Sequence, residues 1–335
     1  MRQVVIILTF CVFIFLSFRV EDPLNPEFSI AKLLEALGDE PLPHKPNLLT
    51  GDASISRGRD IVINGMSKAG GKKSKRQSKY FTCIACHNIE REDPQLSNPS
   101  PEARLKYTND QNLPFLQGSA LYGVVNRRSF YNGDYEKKYG DLVKPARNDL
   151  RQAIQLCAVE CSQGRKLRDF ELESVLAYLW TIDLKLKDLF LTPDELELVE
   201  HAFDTGNNRG EAIKVLRSKY LDSSPATFVD PPADRSNGNQ LTGRPENGAI
   251  IYKNSCQHCH FENKYSFLLL DDSKLTFQHL QNKAGKYSSH SMYQVIRYGT
   301  PPKGGKKAYM PQYTKEKMTD QQMADLRAFI DESAQ

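Results

Sequence analysis

The chain has 335 residues, with 45 basic and 41 acidic side chains and a net charge of +4. That length holds two domains, or two and a connector. So small an excess of charge excludes bulk affinity for nucleic acid. From the N-terminus, Met1-Arg2-Gln3 leads into an uncharged apolar run from Val4 to Phe18, closed by Arg19. A basic start followed by a run of this length matches a signal peptide. It is short for a free-standing transmembrane helix, which needs about 20 residues. No small-x-small cleavage site follows, and the bulky Phe10 before Cys11 argues against a lipoprotein box. Residues 1–20 are therefore expected to be a signal peptide or membrane anchor. The rest is expected in the periplasm, touching the membrane only through that segment if it is retained. Residues 21–50 are rich in Pro and acidic side chains; a linker or wrapping arm is expected, with one short helix over Ser29 to Leu37.

The first domain is expected over 51–182. A helix should run from Ile55 to Gly65. Lys68 to Lys79 then carries six positive charges among Gly and Ser. Such a run is a flexible solvated loop or a docking patch for an acidic redox partner. Cys83-Ile84-Ala85-Cys86-His87 follows, and Cys256-Gln257-His258-Cys259-His260 repeats it downstream. C-x-x-C-H is the attachment pattern of c-type haem. The two thiols add to the two vinyl groups, and the next residue offers an imidazole to the iron. A zinc site would need a far shorter loop between the C-x-x-C pairs. Two covalent haems are thus expected, held by Cys83, Cys86, Cys256 and Cys259, with His87 and His260 as iron ligands. Export and haem attachment support each other.

Asn88 to Asn112 is expected to be a polar, Pro-containing loop. Ser129 to Tyr139, with Phe130, Tyr131, Tyr135 and Tyr139, suits haem-edge packing or a lid. Leu150 to Glu160 should be helical and Gly164 should break it. A second helix should cover Asp169 to Trp180, with Leu172, Val175, Leu176 and Leu179 as its core stripe. Residues 183–240 should form a connector with two helices, the first started by Thr192-Pro193-Asp194-Glu195, and then a Pro-, Asp- and Gly-rich strap. His201 is expected to be exposed. The second domain is expected over 241–335, with Thr319 capping a last helix from Asp320 to Ile330.

Gly118-Ser119-Ala120-Leu121-Tyr122-Gly123-Val124-Val125-Asn126-Arg127 resembles the Gly-Pro-x-Leu-x-Gly-x-x-Gly-Arg loop of class I cytochromes c, with Ser119 for Pro and Asn126 for Gly. Gly248, Tyr252 and Cys256 resemble the start of the same fold. Leu176-Ala177-Tyr178-Leu179 is similar to its last helix, and Tyr309-Met310-Pro311 to its distal-ligand loop. The resemblance implies an all-α chain of two cytochrome c-like domains, each a small helical bundle around one haem, joined by a helical connector. It also implies Met310 opposite His260. Met292, Met318 and Met323 are then core filler.

The first haem departs from this pattern, because between its motif and Trp180 there is neither Met nor a second His. Cys157 and Cys161 stand there instead. Met310 precedes Phe329 by 19 residues, whereas Cys157 and Cys161 precede the matching Tyr178 by 21 and 17. Three readings stay open. A thiolate, from Cys157 or alternatively Cys161, ligates iron. Or the two form a disulfide, for which i, i+4 in a regular helix is poor geometry. Or the iron is open, with Lys or water on it. Ile154-Gln155-Leu156-Cys157 followed by Gly164-Arg165-Lys166-Leu167 is similar to the dihaem thiosulfate dehydrogenases, and that resemblance implies Cys157 as the ligand of an active-site haem. Two functions follow as expectations: electron transfer between respiratory or sulfur-metabolism partners, which is favoured, or oxidation of a small sulfur anion such as thiosulfate at Cys157. Arg127, Arg128 and Arg165 are candidate anion-holding cations in the second case. A peroxidase would need a spare His that the first domain lacks.

Overall fold

Helices form where a polar cap precedes a stripe of apolar side chains, and the computed structural model follows that rule along its described residues (25–51, 53–68, 74–234, 236–262, 264–286, 291–300 and 309–335). The apolar N-terminal run and Cys11 lie outside them. Helix α1 (Ile30–Ala36) is capped by the Ser29 hydroxyl, which accepts from Lys32 N. Helix α2 (Ile55–Asn64) is capped by Ser54 and closed by Gly65 in the left-handed region, φ 72°. Helix α3 (Pro101–Asp110) was not expected. Ser100 caps it and Pro101 takes its first turn, a known start signal. It escaped the periodicity reading because two of its three buried residues, Arg104 and Thr108, are polar.

Helices α4 (Tyr135–Tyr139) and α5 (Leu150–Leu156) follow. Helix α5 does not continue to Glu160 as an α-helix but widens into a π-turn over Cys157–Cys161. Helix α6 (Asp169–Leu179) is buried along nearly its whole length. Helices α7 (Pro193–Thr205), with a Thr192/Glu195 capping box, and α8 (Arg209–Ser218) form the connector. Helix α9 (Pro245–Ile251) widens into a second π-turn at Tyr252–Cys256, which passes into α10 (Gln257–His260). Helices α11 (Lys274–Ala284), α12 (Met292–Tyr298) and α13 (Asp320–Ser333) complete the chain. The described residues are helical, without strands; the one β-bridge joins Ser29 to Lys185. This agrees with the all-α, cytochrome c-like expectation. Among the described residues no helix is long and apolar enough to cross a membrane.

Three apolar clusters organise the packing. The first joins α2, α5 and α6 through Ile61, Val62, Leu150, Val175, Leu176 and Leu179. The second joins the residues from Ile251 onward through Tyr252, Met292, Met318, Met323 and Leu326. Leu105 and Phe115, from the stretch between the first motif and Gly118, also pack in this second cluster. The third pairs the N-terminal arm (Ile30, Leu33, Leu34, Leu37) with the connector (Val199, Ala202, Ala212, Leu216). Residues 25–51 therefore wrap rather than hang free: Ile30 N donates to Leu184 O at 2.9 Å and Leu186 N to Phe28 O at 3.0 Å.

The first two clusters share a construction. Helix α2 crosses α6, and α9 crosses α13, as the two closest helix pairs. Each crossing is made at a glycine. A Cβ on Gly58 would lie 1.8 Å from Ser174 O and 2.9 Å from Tyr178 Cβ; one on Gly248 would lie 2.1 Å from Asp325 O and 2.6 Å from Phe329 Cβ. Only glycine allows backbones so close.

Candidate haem sites

The first motif begins in a 3₁₀ turn, Cys83–Ala85, downstream of α2. Its imidazole is oriented from below. His87 Nδ1 lies 2.7 Å from the Ser119 carbonyl oxygen. Only a protonated Nδ1 makes that bond, so Nε2 is left bare for a metal. The accepting group is backbone, which explains why Ser can stand where the resembled loop has Pro. Gly118 N donates to Cys86 O at 2.9 Å. A Cβ on Gly118 would meet Cys86 O at 2.5 Å and His87 Cε1 and Nδ1 at 2.6 Å. The loop thus cradles the imidazole because residue 118 has no side chain.

The second motif repeats the arrangement: His260 Nδ1 lies 3.0 Å from Leu268 O. Cys256 ends its π-turn and packs, with Met310, against the second cluster. Met310 is fixed by a reciprocal pair of bonds. Its N–H donates to Thr300 Oγ1 at 2.9 Å, and its carbonyl accepts from Thr300 N at 2.9 Å. Three residues on, Tyr313 N donates to Ile296 O at 2.7 Å, and its hydroxyl hydrogen-bonds Ser255, the neighbour of Cys256. Met292, Met318 and Met323 are core side chains. In both sites a pair of free thiols stands beside an imidazole with a bare Nε2. Those donors fit a covalently attached haem. Burial raises the Cys83 and Cys259 thiols to about 11.

Residues 243–330 match the family model described as cytochrome C oxidase, cbb3-type, subunit III. The match supports a c-type cytochrome. Such a domain binds haem c covalently and transfers electrons, and the matched stretch contains Cys256, Cys259, His260 and Met310. No curated protein and no solved structure matches the chain.

The two motifs touch. Cys259 Sγ lies 3.8 Å from Ala85 O, and His258 Nε2 lies 3.3 Å from Ile84 O. Thr82 Oγ1 and the Tyr265 hydroxyl are 3.4 Å apart, and Phe81 meets Tyr309 edge-on at 5.8 Å. His258 is thus a bridge between motifs, away from the metal position of its own.

Cys157 and Cys161 are free thiols. They hydrogen-bond each other, and both interact electrostatically with the first motif, Cys157 with Cys83 and Cys86 and Cys161 with Cys86. The Cys161 thiol is pulled down because it accepts hydrogen bonds from Cys157 and from the Tyr131 hydroxyl, against burial. Cys157 is pushed up by donating to Cys161 and by burial. Tyr131 has φ 52°, a left-handed backbone that a bulky residue avoids. Tyr131 packs edge-on against Tyr135 at 5.2 Å, and Tyr135 stacks with Tyr139 at 6.0 Å. The sequence suggested haem-edge packing or a lid for these tyrosines, without linking them to the cysteine pair. Tyr309, beside Met310, also lies within electrostatic reach of both thiols.

The described part of the basic run is anchored rather than loose. Gln77 N donates to Gly65 O at 2.7 Å, and Gln77 Nε2 to Ala158 O at 2.6 Å. Ser78 Oγ donates to Ser162 O at 2.5 Å. Lys75, Arg76 and Lys79 remain exposed beside the cysteine turn; residues 69–73 lie outside the described residues. The candidate anion-holding arginines do not gather at the thiols. Arg128 pairs with Glu40 at 3.0 Å and Arg165 with Glu171 at 2.7 Å. Arg127 faces a cavity with Arg91, Asp93, Ser119 and Tyr122, on the His87 side.

Proposed function

We propose that the chain is an exported c-type cytochrome with two covalent haems that carries electrons between respiratory or sulfur-metabolism partners. Cys83 and Cys86 hold one haem, with His87 on its iron; Cys256 and Cys259 hold the other, between His260 and Met310. The bound groups supply one-electron iron chemistry, with the thioether raising the potential of the second. The observation that carries this reading is the meeting of the two motifs, with Cys259 Sγ 3.8 Å from Ala85 O. Centres attached at touching loops pass an electron without a mobile carrier. The exposed Lys75, Arg76 and Lys79 suit an acidic partner steered by charge.

A second reading is favoured by the two further thiols in electrostatic reach of the first motif: a dihaem oxidoreductase acting on a small sulfur compound such as thiosulfate or tetrathionate at a His/Cys-ligated haem, with Cys157 as the ligand. Pyridine haemochrome assay should give two haems per chain; one haem would sink the proposal. Cys157→Ala should change the low-spin spectrum of the first haem more than Cys161→Ala; the reverse order moves the ligand to Cys161. Haem reduction by thiosulfate, sulfite or sulfide selects the oxidoreductase reading, and silence with all three selects the carrier.

A further inference from the structure

Cys161 is the one described cysteine without a part in either reading. Each haem motif uses two thiols, and an iron ligand would use one more. Its surroundings are nevertheless built with care. The π-turn of Cys157–Cys161 replaces the regular helix in which i, i+4 cysteines are poorly placed to join. Its wider coil departs from that regular spacing, and the two thiols act on each other, Cys157 pushed up and Cys161 pulled down. The turn is stapled from outside. Ser162 N donates to Cys157 O at 2.8 Å, Gln77 Nε2 holds Ala158 O at 2.6 Å, and Ser78 holds Ser162 O. π-turns inserted in helices concentrate at functional sites. Tyr131 keeps a left-handed backbone (φ 52°) while its hydroxyl reaches Cys161. Such a conformation costs on the order of 1–3 kcal/mol and persists where its surroundings over-determine it. Tyr135, Tyr139 and Tyr309 all lie within electrostatic reach of Cys161.

We propose that Cys157 and Cys161 form a dithiol–disulfide couple that exchanges two electrons with the two haems. It rests on the two-haem reading above. In the oxidative direction both S–H bonds break and one S–S bond forms. Two protons would leave to water, and a haem held at each motif would accept one electron. The reverse step consumes two protons and two electrons and restores the thiols. The pair therefore matches a two-electron event to two one-electron centres, and the contact between the motifs supplies the route to the second.

The first test needs no variant. Both cysteines, and no other, fall in the tryptic peptide between Arg151 and Arg165. The haem-loaded full chain is poised with dithionite or with ferricyanide, freed of reagent, then unfolded in N-ethylmaleimide and digested. The reduced sample should carry two alkyl groups on that peptide. The oxidised sample should carry none and be lighter by two hydrogens than the unalkylated dithiol. At equal haem content, coulometric titration should take two electrons more in the native chain than in Cys161→Ser. Two alkyl groups at both poises, or equal electron counts, overturn the proposal. A haem count of one would instead fail the two-haem reading, and the peptide masses report on the thiols in either case.

Discussion

At the scale of single residues, the haem sites depend on atoms that are missing as much as on those present. Gly118 leaves the space in which His87 turns its Nδ1 to Ser119 O. Gly118→Ala would put a methyl group 2.5 Å from Cys86 O and 2.6 Å from the imidazole. Overpacking of this kind costs about 1–3 kcal/mol, so the urea midpoint should fall and the spectrum of the first haem should change. A midpoint within error of the native value would show that the loop yields freely. Met310→Ala removes a thioether that, like Cys256, packs against the second cluster. The charge-transfer band of Met–iron ligation near the red edge of the visible spectrum should vanish; its survival would assign the band, and the ligand, elsewhere. Residue types at fixed spacing made these positions legible in the sequence: two thiols and an imidazole in five residues, and a Met before a capped helix. Tyr131 and Tyr309 were not legible as site residues. One reaches Cys161 through a rare backbone conformation, and the other reaches it from the opposite end of the chain.

At the scale of elements, the signals that held were caps joined to apolar stripes, as in α2, α6, α7 and α13. The stretch over α3 misled because its inward face is Arg104 and Thr108, so polarity imitated a loop while Ser100-Pro101-Glu102 marked a start. The π-turn at Cys157–Cys161 was invisible for a different reason. A widened turn keeps the same residue pattern as an α-helix and differs only in which carbonyl is bonded. The arm was open between a linker and a wrapping segment from its Pro and acidic residues; Ile30 and Leu33, fully buried against the connector, favour wrapping. Leu33→Ala should therefore cost about 2–5 kcal/mol, read as a lowered urea midpoint. A change inside about 0.5 kcal/mol, the range of surface substitutions, would show that the arm contributes nothing to the fold.

At the scale of the whole molecule, a buried charge cluster ties the first motif to the C-terminal unit. Asn88, next to His87, donates to Glu92 Oε2 at 2.7 Å. Glu92 pairs with Lys317 at 2.8 Å and with Arg104 at 3.5 Å. Arg104 Nη2 also donates to Lys317 O at 2.8 Å, and its guanidinium lies 4.0 Å over the Phe115 ring. Burial alone would raise the Glu92 carboxyl, but Lys317 and Arg104 outweigh it and hold it at about 2, against an ordinary 4.5. A carboxyl lowered by folding stabilises the native state fully above its unfolded value, and that contribution disappears as pH falls from about 4.5 toward 2. Urea midpoints should decline over that window, and Glu92→Gln should flatten the decline. The variant leaves Lys317 and Arg104 buried without their anion, so a cost of about 3–5 kcal/mol at neutral pH is expected. A decline of equal steepness in the variant would place the acid sensitivity in other carboxylates. Sequence could not show this cluster, because Glu92 and Lys317 are 225 positions apart and each resembles an ordinary surface charge.

The contact between the two motifs also sets an order of events in the life of the chain. Cys259 and Ala85 face each other across the junction of the two units, and His258 closes the same gap against Ile84. On the two-haem reading, machinery that forms a carbon–sulfur bond at Cys259 would have to reach a thiol lying 3.8 Å from Ala85 O of the other motif. Attachment is then expected before the motifs close on each other. Loading and assembly become one irreversible sequence: the thioether bonds are permanent, so a half that closes unloaded can be corrected only by reopening the junction.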